Sequence, residues 1–311
     1  MIITVTLNPA LDKTATVGAL NVGELNRLHE VSSDAGGKGI NVSKMLLALD
    51  FQSVAIGFLG GKSGEEILDK LEEMGIDCDF TEIREATRTN LKIIDTNSAL
   101  TEINEVGPDI TPAEFSFFVI GLHRYMKRGN ILILSGSTPI CLGDEIYGMI
   151  ISSAHKSGTI VFLDADGNVF REALRAKPYF IKPNLHELKE YFNVKGDLSL
   201  EQIIDLCKKF LDMGVKTVAL TMGKDGALLL QGDRVLFAKG LDVTPRSTVG
   251  AGDSFVGAFA YGVYNKMSLE DTFSLAVAAS AGAVTTSGTK APDQDLVYEL
   301  QEQVKIIDLS K

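Results

Sequence analysis

A glycine-rich segment near the C-terminal end, STVGAGDSF at residues 247–255, ends a loop and opens a helical pattern. Glycines at a helix start leave backbone N–H groups unshielded, and together with the helix dipole these groups bind anions. Asp253 repels a phosphate there. It makes sense as a base that takes a proton from a hydroxyl while the amides of Gly250, Ala251 and Gly252 stabilise a transferred phosphoryl group. The alternative is a glycine-rich turn with Asp253 as an ordinary first-turn residue.

A second glycine-rich segment, DAGGKGINVS at residues 34–43, also leads into a helical pattern. Gly36 and Gly37 let the backbone approach a polyol closely. Lys38 supplies a point charge for a phosphate, and Asn41 can hydrogen-bond hydroxyl groups from the first turn of the helix. The segment is a candidate binding site for a phosphorylated sugar, and the alternative is a solvated turn lysine.

The segment KPNLHE at residues 182–187 opens another helical pattern. Asn184 followed three residues later by Glu187 is close to a capping box, which is a structural signature of a helix start. The same two side chains are candidate Mg²⁺ ligands acting through water, because Mg²⁺ prefers oxygen ligands and keeps part of its water shell. Both readings stay open, and Lys182 is a candidate cation for neutralising phosphoryl charge.

The turn TMGKDG at residues 221–226 follows a predicted strand and is rich in glycine. Such a turn can line a nucleotide with its backbone, although the motif is weak in isolation. Its candidate residues are Thr221, Gly223 and Gly226.

Three charged residues in the N-terminal half complete the set of candidates. Asp12 lies four residues past Asn8, which directly follows the first predicted strand, and is placed to bind sugar hydroxyls. Arg27 and Arg88 lie in two ribbons with a period of two, and they join Lys38 as phosphate clamps if those ribbons close over the site. The alternatives are a turn aspartate and two solvated arginines.

One segment imitates a nucleotide-binding motif without meeting its spacing. GFLGGKS at residues 57–63 resembles a P-loop, but four residues must separate the first glycine from the GK[ST] group. Gly57 is one residue too close, and Ile56 occupies the required position. A structural strand–helix turn is the better interpretation. The first strand is followed by Asn8-Pro9-Ala10 rather than G-x-G-x-x-G, which disfavours a dinucleotide fold.

The elements that must position these residues alternate between strand and helix patterns. The predicted strands are Ile2–Leu7, Ser53–Phe58, Ile131–Ser135, Thr159–Asp164, Tyr179–Ile181, Thr217–Thr221 and Ala227–Leu230. The predicted helices are Ile40–Ala48, Ser63–Met74, Asp144–Lys156, Leu185–Tyr191, Leu200–Met213, Ala251–Tyr264 and Leu269–Val284. This alternation predicts a mostly parallel sheet covered on both faces. Residues 14–33 and 87–105 are predicted to form a small sheet that projects as a lid from a single domain spanning residues 1–311.

The bulk composition excludes some function classes. The chain has 311 residues and a formal net charge of −11, from 30 basic and 41 acidic residues. That balance argues against a nucleic-acid-binding surface. Apolar runs are too short to span a membrane, and the N-terminus has a strand pattern rather than that of a signal peptide. Three widely spaced cysteines indicate reduced thiols, so a cytoplasmic protein is predicted.

The sequence resembles the PfkB, or ribokinase-like, family. GGKGINV at 36–42 and GAGDSF at 250–255 match its two signatures, and the similarity runs from Met1 to about residue 300. The resemblance implies a three-layer α/β/α sandwich with a β-sheet lid that often forms a dimer contact. It also implies Asp253 as catalytic base and ATP with Mg²⁺ as cofactors. The residues implied to bind ATP are Lys182, Asn184, Thr221, Gly223, Gly226, Gly250 and Gly252.

Within the family, the sequence is most similar to the branch that converts fructose 1-phosphate into fructose 1,6-bisphosphate. The matching segments include TVTLNPALD (4–12), TRTNLKI (87–93) and LSGSTP (134–139). The resemblance implies that the sugar phosphate faces Asp12, Gly37, Lys38, Asn41, Arg88 and Ser137. A tagatose 6-phosphate kinase shares most of this pattern and stays open. A sugar or nucleoside kinase without phosphate preference and a non-catalytic sugar-phosphate sensor are further alternatives.

One departure concerns metal ions. The ribokinase branch usually carries Asp and Thr where this chain has Ser247 and Val249. Their absence argues against a ribokinase-type monovalent-cation site.

Overall fold

The computed structural model describes residues 1–97 and 99–310. The strands are β1 (Ile2–Thr6), β2 (Ala10–Thr16), β3 (Val31–Gly36), β4 (Val54–Leu59), β5 (Asp77–Cys78), β6 (Thr81–Glu82), β7 (Arg88–Ile94), β8 (Leu100–Asn104), β9 (Ile131–Ser135), β10 (Ile160–Asp164), β11 (Phe180–Ile181), β12 (Thr217–Thr221), β13 (Ala227–Gln231), β14 (Arg234–Ala238) and β15 (Ile306–Asp308). The helices are α1 (Lys38–Ala48), α2 (Gly61–Met74), α3 (Pro112–His123), α4 (Ile146–Ser157), α5 (Gly167–Leu174), α6 (Leu185–Tyr191), α7 (Leu200–Asp212), α8 (Ala251–Tyr264), α9 (Leu269–Val284) and α10 (Gln294–Gln303).

The main sheet is mostly parallel, as the alternating pattern predicts. Its order is β15-β14-β13-β12-β11-β10-β9-β1-β4-β5, and β6 pairs with β4 beside β5. Neighbouring strands from β12 to β5 run parallel, whereas β12 to β15 form an antiparallel edge. The carboxyl ends of the central parallel strands therefore open on one edge, where α/β folds bind ligands.

Both faces of this sheet are buried, and its central strands are apolar at most positions. In β9, Ile131 and Ile133 pack into one hydrophobic cluster, while Leu132 and Leu134 pack into the other. Helices α3 to α7 cover the Leu132 side, and α1, α8, α9 and α10 cover the Ile131 side. This arrangement confirms the predicted three-layer α/β/α sandwich.

A second sheet of four strands has the order β3-β2-β7-β8. Its β2 strand is antiparallel to β3 and parallel to β7. Leu11 and Ala35 on one face pack with Ile67 and Leu71 of α2 in a separate hydrophobic cluster. Since strand side chains alternate between faces, the polar residues next to them, such as Asp12, point to the other face. A role for this sheet as a lid remains a prediction.

Several elements escaped prediction from sequence, among them α3, α5, α10 and β14. Helix α3 is apolar nearly all round, so its sequence lacks the period that marks a half-buried helix. Its start carries clear signals, since Thr111 and Glu114 form a capping box and Pro112 is the first helical residue. Over residues 1–97 and 99–310, no helix combines the length and apolar character needed to cross a membrane.

Candidate active site

Residues that are far apart in sequence converge at the carboxyl edge of the central strands. Strand β9 ends at Ser135, β10 ends at Asp164, and Lys182 follows β11. The N-terminal turns of α1 and α8 face this edge. Lys38 Nζ, at the start of α1, lies 3.5 Å from Asp164 Oδ1, and Asn41 Nδ2 donates a 2.8 Å hydrogen bond to Asp253 Oδ2. The two glycine-rich segments therefore contribute to one site.

Asp253 lies in the first turn of α8 and is only 6% exposed. The pKa of Asp253 is raised to about 6, because burial and then the charge of Asp164 outweigh the opposing effects of Lys38, Asn41 and Lys182. A buried carboxyl with a pKa just below neutral is ionised at physiological pH and is still basic enough to accept a proton. The geometry and electrostatics both suit a general base.

Asp164 is a site residue that the sequence analysis missed. Lys182 Nζ lies 3.4 Å and Lys38 Nζ 3.5 Å from Asp164 Oδ1, and the carboxylate is fully enclosed. Burial raises the pKa of Asp164, but the two ammonium groups outweigh that effect and hold the pKa below its ordinary value. Asp164 in turn raises the pKa of Lys38. The signal available in the sequence was its position as the last residue of a predicted parallel strand.

Buried polar atoms without a hydrogen-bond partner cluster at this edge. Among the described residues they belong to Thr6, Asn8, Asn41, Ser135 and both carboxylate oxygens of Asp164. All of them lie at or just past the ends of β1, β9 and β10, or in the first turn of α1. Buried polar groups are normally paired. Their concentration at one place indicates that a polar ligand or ordered water satisfies them.

The N-terminus of α8 carries free backbone amides close to a lysine. Gly250 precedes the helix with φ of 82°, in the left-handed region that favours glycine, and no side chain caps the helix start. A Cβ on Gly252 would stand 3.0 Å from Lys182 Nζ, so the lysine lies against the first turn. This end of α8 combines amides, a helix dipole and a cation, as an anion site requires.

A cavity of about 480 Å³ extends from this helix start and falls in the size range of small-molecule sites. Its lining combines Lys182, Asn184 and Gly252 near the helix start with apolar side chains that include Leu241, Val243 and Val277. This combination suits a ligand with a charged end and a flat apolar end, such as a nucleotide.

The turn at residues 221–226 forms one wall of this cavity. Thr221, Gly223 and Gly226 all line it. Gly226 has φ of 104°, and a Cβ there would stand 2.0 Å from the carbonyl oxygen of Ala238. Glycine is thus required for the turn to pack on the neighbouring chain. Thr221 donates its backbone N–H to Pro183 O at 3.1 Å, which links the turn to the end of β11.

Asn184 and Glu187 form the capping box of α6. Asn184 Oδ1 accepts a hydrogen bond from Glu187 N at 2.9 Å, and Glu187 Oε2 accepts one from Asn184 N at 2.8 Å. No group of three or more His, Cys, Asp or Glu side chains in the described part of the chain is arranged to hold a metal. Any Mg²⁺ here would rely mainly on phosphate and water oxygens.

On the sugar side, Asp12 lies on β2 and is 8% exposed. Asn90 Nδ2 donates to Asp12 Oδ1 at 2.9 Å, and Lys92 Nζ donates to Asp12 Oδ2 at 3.0 Å. A Cβ on Gly36 would stand 2.6 Å from Asp12 Cγ, so glycine is needed there. Gly37 has φ of 128°, in the region that favours glycine. The sequence analysis did not single out Asn90 or Lys92.

Arg88 binds backbone carbonyl groups. Its Nε and Nη2 donate to Asn8 O at 3.2 and 3.1 Å, and Nη1 donates to Glu105 O at 3.2 Å and to Asn90 Oδ1 at 3.3 Å. Burial lowers the pKa of Arg88. Within the described chain no carboxylate forms an ion pair with this guanidinium, so its charge is available to an anion.

The remaining two sugar-site candidates differ in their placement. Ser137 Oγ accepts a 3.4 Å hydrogen bond from Asn8 Nδ2, close to Gly136, which packs against Lys38. Arg27 is exposed on the connection between β2 and β3, and no hydrogen bond or ion pair joins it to other described residues. The structure therefore groups Ser137 with the site and leaves Arg27 apart.

Comparison with known proteins shows similarity over almost the whole chain. Residues 5–296 match the family described as pfkB family carbohydrate kinase. The chain is 37% identical to a 1-phosphofructokinase from Borreliella burgdorferi, covering 99% of each, and 36% identical to one from Bacillus subtilis, covering 99% of this chain and 100% of the relative. It is 27% identical to phosphofructokinase-2 from Escherichia coli, solved with potassium, with a TM-score of 0.92 and coverage of 97% of this chain and 98% of that one.

Proposed function

This chain belongs to the pfkB family of carbohydrate kinases, and we propose that it transfers the terminal phosphoryl group of ATP to fructose 1-phosphate, forming fructose 1,6-bisphosphate. The observation that carries the proposal is the buried Asp253 carboxyl, which lies at the amide-rich start of α8 beside Lys182. Such a site couples removal of a hydroxyl proton to stabilisation of a phosphoryl group. The full-length relatives named 1-phosphofructokinase support the choice of acceptor.

In the proposed reaction, Asp253 accepts the proton of the primary hydroxyl of the acceptor sugar. The hydroxyl oxygen forms a bond to the terminal phosphorus of ATP, and the bond from that phosphorus to the ADP oxygen breaks. The amides of Gly250, Ala251 and Gly252, together with Lys182, neutralise the charge on the transferred group. Asn41 holds Asp253 in place through their hydrogen bond.

Nucleotide binding is proposed for the cavity of about 480 Å³. The candidates from the sequence analysis that line it are Lys182, Asn184, Thr221, Gly223, Gly226 and Gly252. Gly250 precedes α8 next to this lining and is proposed to bind the nucleotide with them. The phosphates would bind at the helix start, and the nucleobase would pack against the apolar side chains of the cavity.

A magnesium ion fits the donors present near these phosphates. The side-chain oxygens of Asn184 and Glu187 each accept one backbone N–H and keep lone pairs for water, and oxygen is the ligand Mg²⁺ prefers. Asn184 and Glu187 would therefore hold the ion through water. When bound, Mg²⁺ neutralises phosphate charge and orients the phosphates.

For the sugar phosphate we propose binding by Asp12, Gly36, Gly37, Lys38, Asn41, Arg88 and Ser137. The cations Lys38 and Arg88 favour a substrate that already carries a phosphate. Arg27 would join them only if the second sheet, with residues 14–33 and 87–105 as its lid segments, closes over the site. Closure would also exclude water and limit hydrolysis of ATP.

A homodimer through the second sheet is a further proposal. Its two edge strands, β3 and β8, carry exposed apolar side chains: Val31, Leu100 and Ile103. Open sheet edges of this kind are templates for pairing with another chain. Light scattering at several protein concentrations would test it, and a monomer at all of them would remove the proposal. We also propose a cytoplasmic location, with which the free thiols of Cys78, Cys141 and Cys207 agree.

The function is tested by measuring ADP production from ATP and Mg²⁺ with purified protein. Fructose 1-phosphate, tagatose 6-phosphate, fructose 6-phosphate, fructose and ribose are compared in parallel. We expect kcat/KM for fructose 1-phosphate to exceed the others by at least about tenfold, the ratio that corresponds to one hydrogen bond to a charged group. A preference for tagatose 6-phosphate would keep the mechanism and change the substrate, whereas no turnover of any sugar would contradict the proposal.

A further inference from the structure

The carboxylate of Asp12 is held by two donors from one neighbouring strand. Asn90 Nδ2 donates to Oδ1 at 2.9 Å, and Lys92 Nζ donates to Oδ2 at 3.0 Å. Each oxygen thus has one fixed partner and keeps lone pairs for a ligand. Both partners come from β7, two residues apart.

Strand register explains this arrangement. In the parallel pairing of β2 with β7, Asp12 lies opposite Asn90, and Thr14 lies opposite Lys92. Arg88, Asn90 and Lys92 share one face because strand side chains alternate. Lys92 lies two residues beyond Asn90 on β7, and its side chain reaches back to Asp12. Arg88 lies two residues before Asn90. Lys92 therefore belongs to the same face as the proposed phosphate-binding arginine.

A third contact limits the position of Asp12. Gly36, on β3, pairs with Ala10 of β2. A Cβ at Gly36 would stand 2.6 Å from Asp12 Cγ and 2.7 Å from Asp12 Oδ2. The backbone of β3 thus closes the side of the carboxylate away from β7. With two donors on β7 and the close backbone of β3 on the other side, Asp12 is preorganised to accept hydrogen bonds from sugar hydroxyls.

The charge balance at this place rests chiefly on Lys92, which forms the ion pair with Asp12 in the described chain, whereas Lys44 and Arg88 act on Asp12 from a greater distance. The side chains of Lys92 and Asp12 are 15% and 11% exposed, so their charges are poorly screened by solvent. Asp34 lies opposite Asp12 on β3 and adds a second negative charge to this face. A sugar phosphate brings further negative charge. An uncompensated Asp12 would repel that phosphate, whereas it would not repel a neutral sugar.

We propose that Lys92 is a positioning and specificity-determining residue, which orients Asp12 and cancels its charge so that the pocket accepts a phosphorylated sugar rather than a neutral one. This inference rests on the proposed sugar-phosphate kinase function. It assigns to Lys92 an effect on the sugar phosphate and none on the nucleotide, because the contacts of Lys92 lie in the second sheet.

The test compares Lys92→Met with Lys13→Met. Lys13 is the neighbour of Asp12 on β2 and points to the opposite face, so its replacement removes the same charge from the same sheet. For Lys92→Met we expect KM for fructose 1-phosphate to rise about tenfold or more, as for loss of a charge-assisted hydrogen bond, with KM for ATP nearly unchanged. Lys13→Met should match the wild type. Equal increases in both KM values, or no increase for Lys92→Met, would overturn the proposal.

A double-mutant cycle separates charge balance from a general structural effect. In an Asp12→Asn background the Lys92→Met change should raise KM for the sugar phosphate by less than about threefold, because the charge that Lys92 cancels is gone. The same increase in both backgrounds would contradict the proposed role. Lys92→Arg keeps the charge and should restore KM for the sugar phosphate. If the Lys92→Met variant has a lower melting temperature than the wild type, Lys92→Gln is used in its place.

The wild type is assayed first with the five sugars, so that failure of the proposed function is seen separately. If another sugar phosphate is the better substrate, the Lys92 variants are measured with that compound. The inference is then tested by the same ratios of variant KM to wild-type KM. If a neutral sugar is the better substrate, the inference is wrong. If nothing is turned over, calorimetric affinities for fructose 1-phosphate replace KM in the same comparison.

Discussion

Asn41 Nδ2 donates a hydrogen bond of 2.8 Å to Asp253 Oδ2, across a sequence separation of 212 residues. The bond joins the first turn of α1 to the first turn of α8. It leaves Asn41 Oδ1 buried and without a partner in the described structure. The same carboxamide can therefore orient the proposed base and accept a hydrogen bond from the substrate hydroxyl.

Replacing the proposed base should lower turnover more than binding. For Asp253→Asn we expect kcat to fall by roughly 10²–10⁴, the range for loss of a general base. KM for both substrates should stay nearly constant, because the amide keeps the contact with Asn41. Steady-state kinetics measures both quantities, with Asp212→Asn on the exposed end of α7 as the control. A near-native kcat would remove Asp253 from the mechanism.

The same substitution should stabilise the protein. The pKa of Asp253 in the folded state is raised from 3.8 to about 6, so ionised Asp253 lowers the free energy of unfolding. This effect is complete above about pH 6. That penalty disappears as the pH falls from 6 toward 3.8. Urea unfolding at pH 8 should show Asp253→Asn more stable by about 1–3 kcal/mol, with the difference shrinking near pH 4.5. A less stable variant at pH 8 would contradict the assigned pKa.

Activity should depend on the ionisation of Asp253. The base works only when deprotonated, so kcat/KM should fall as the pH drops below about 6, the pKa of this carboxyl. The decline should approach tenfold per pH unit, as for a single essential base. The residual activity of Asp253→Asn should lack this limb. A wild-type profile that is flat between pH 5 and 7 would exclude a base with this pKa.

Lys38 should act on the sugar phosphate rather than on ATP. For Lys38→Ala we expect KM for the sugar phosphate to rise by about tenfold or more, and KM for ATP by much less. Lys62→Ala is a matched control, because Lys62 follows two glycines in GFLGGKS and is exposed at the start of α2. If Lys62→Ala instead raises KM for ATP, the P-loop interpretation regains support. Equal effects of Lys38→Ala on both substrates would refute its role.

A methyl group at Gly36 should displace the carboxylate of Asp12. The added Cβ would stand 2.6 Å from Asp12 Cγ, whereas Gly18 has no heavy atom within 4 Å of such a Cβ. Gly36→Ala should therefore raise KM for the sugar phosphate by about tenfold, equivalent to one lost hydrogen bond to a charged group. Gly18→Ala should behave as the wild type. Unchanged kinetics in Gly36→Ala would show that Asp12 does not bind the sugar.

Elements with strong local signals were predictable from sequence, and others were not. The bounds of α6, α8 and α9, and of β9 and β12, agree with the predicted ones. Helix α8 starts at a glycine with a left-handed conformation, which is a local property. Helix α5 has only eight residues, so its period is too short to recognise.

The P-loop-like segment at Gly57 is a structural turn by both its sequence spacing and its packing, for different reasons. The spacing of GFLGGKS already argued against a P-loop. The structure adds that a Cβ on Gly57 would stand 1.9 Å from Thr6 O, so this glycine allows β4 to pack against β1. Glycine is required at position 57 for strand packing, a requirement that the sequence does not reveal.

The sequence by itself determined the fold class, the two glycine-rich anion loops, and Asp253 as the candidate base, because these depend on local periodicity and motif spacing. Only the tertiary structure decided that Asp164 lies between Lys38 and Lys182, that Asn90 and Lys92 hold Asp12, and that the pKa of Asp253 is raised to about 6. Those properties arise from burial and from charges on distant segments of the chain. The energy of a charge depends on its surroundings in space, which no spacing along the sequence specifies.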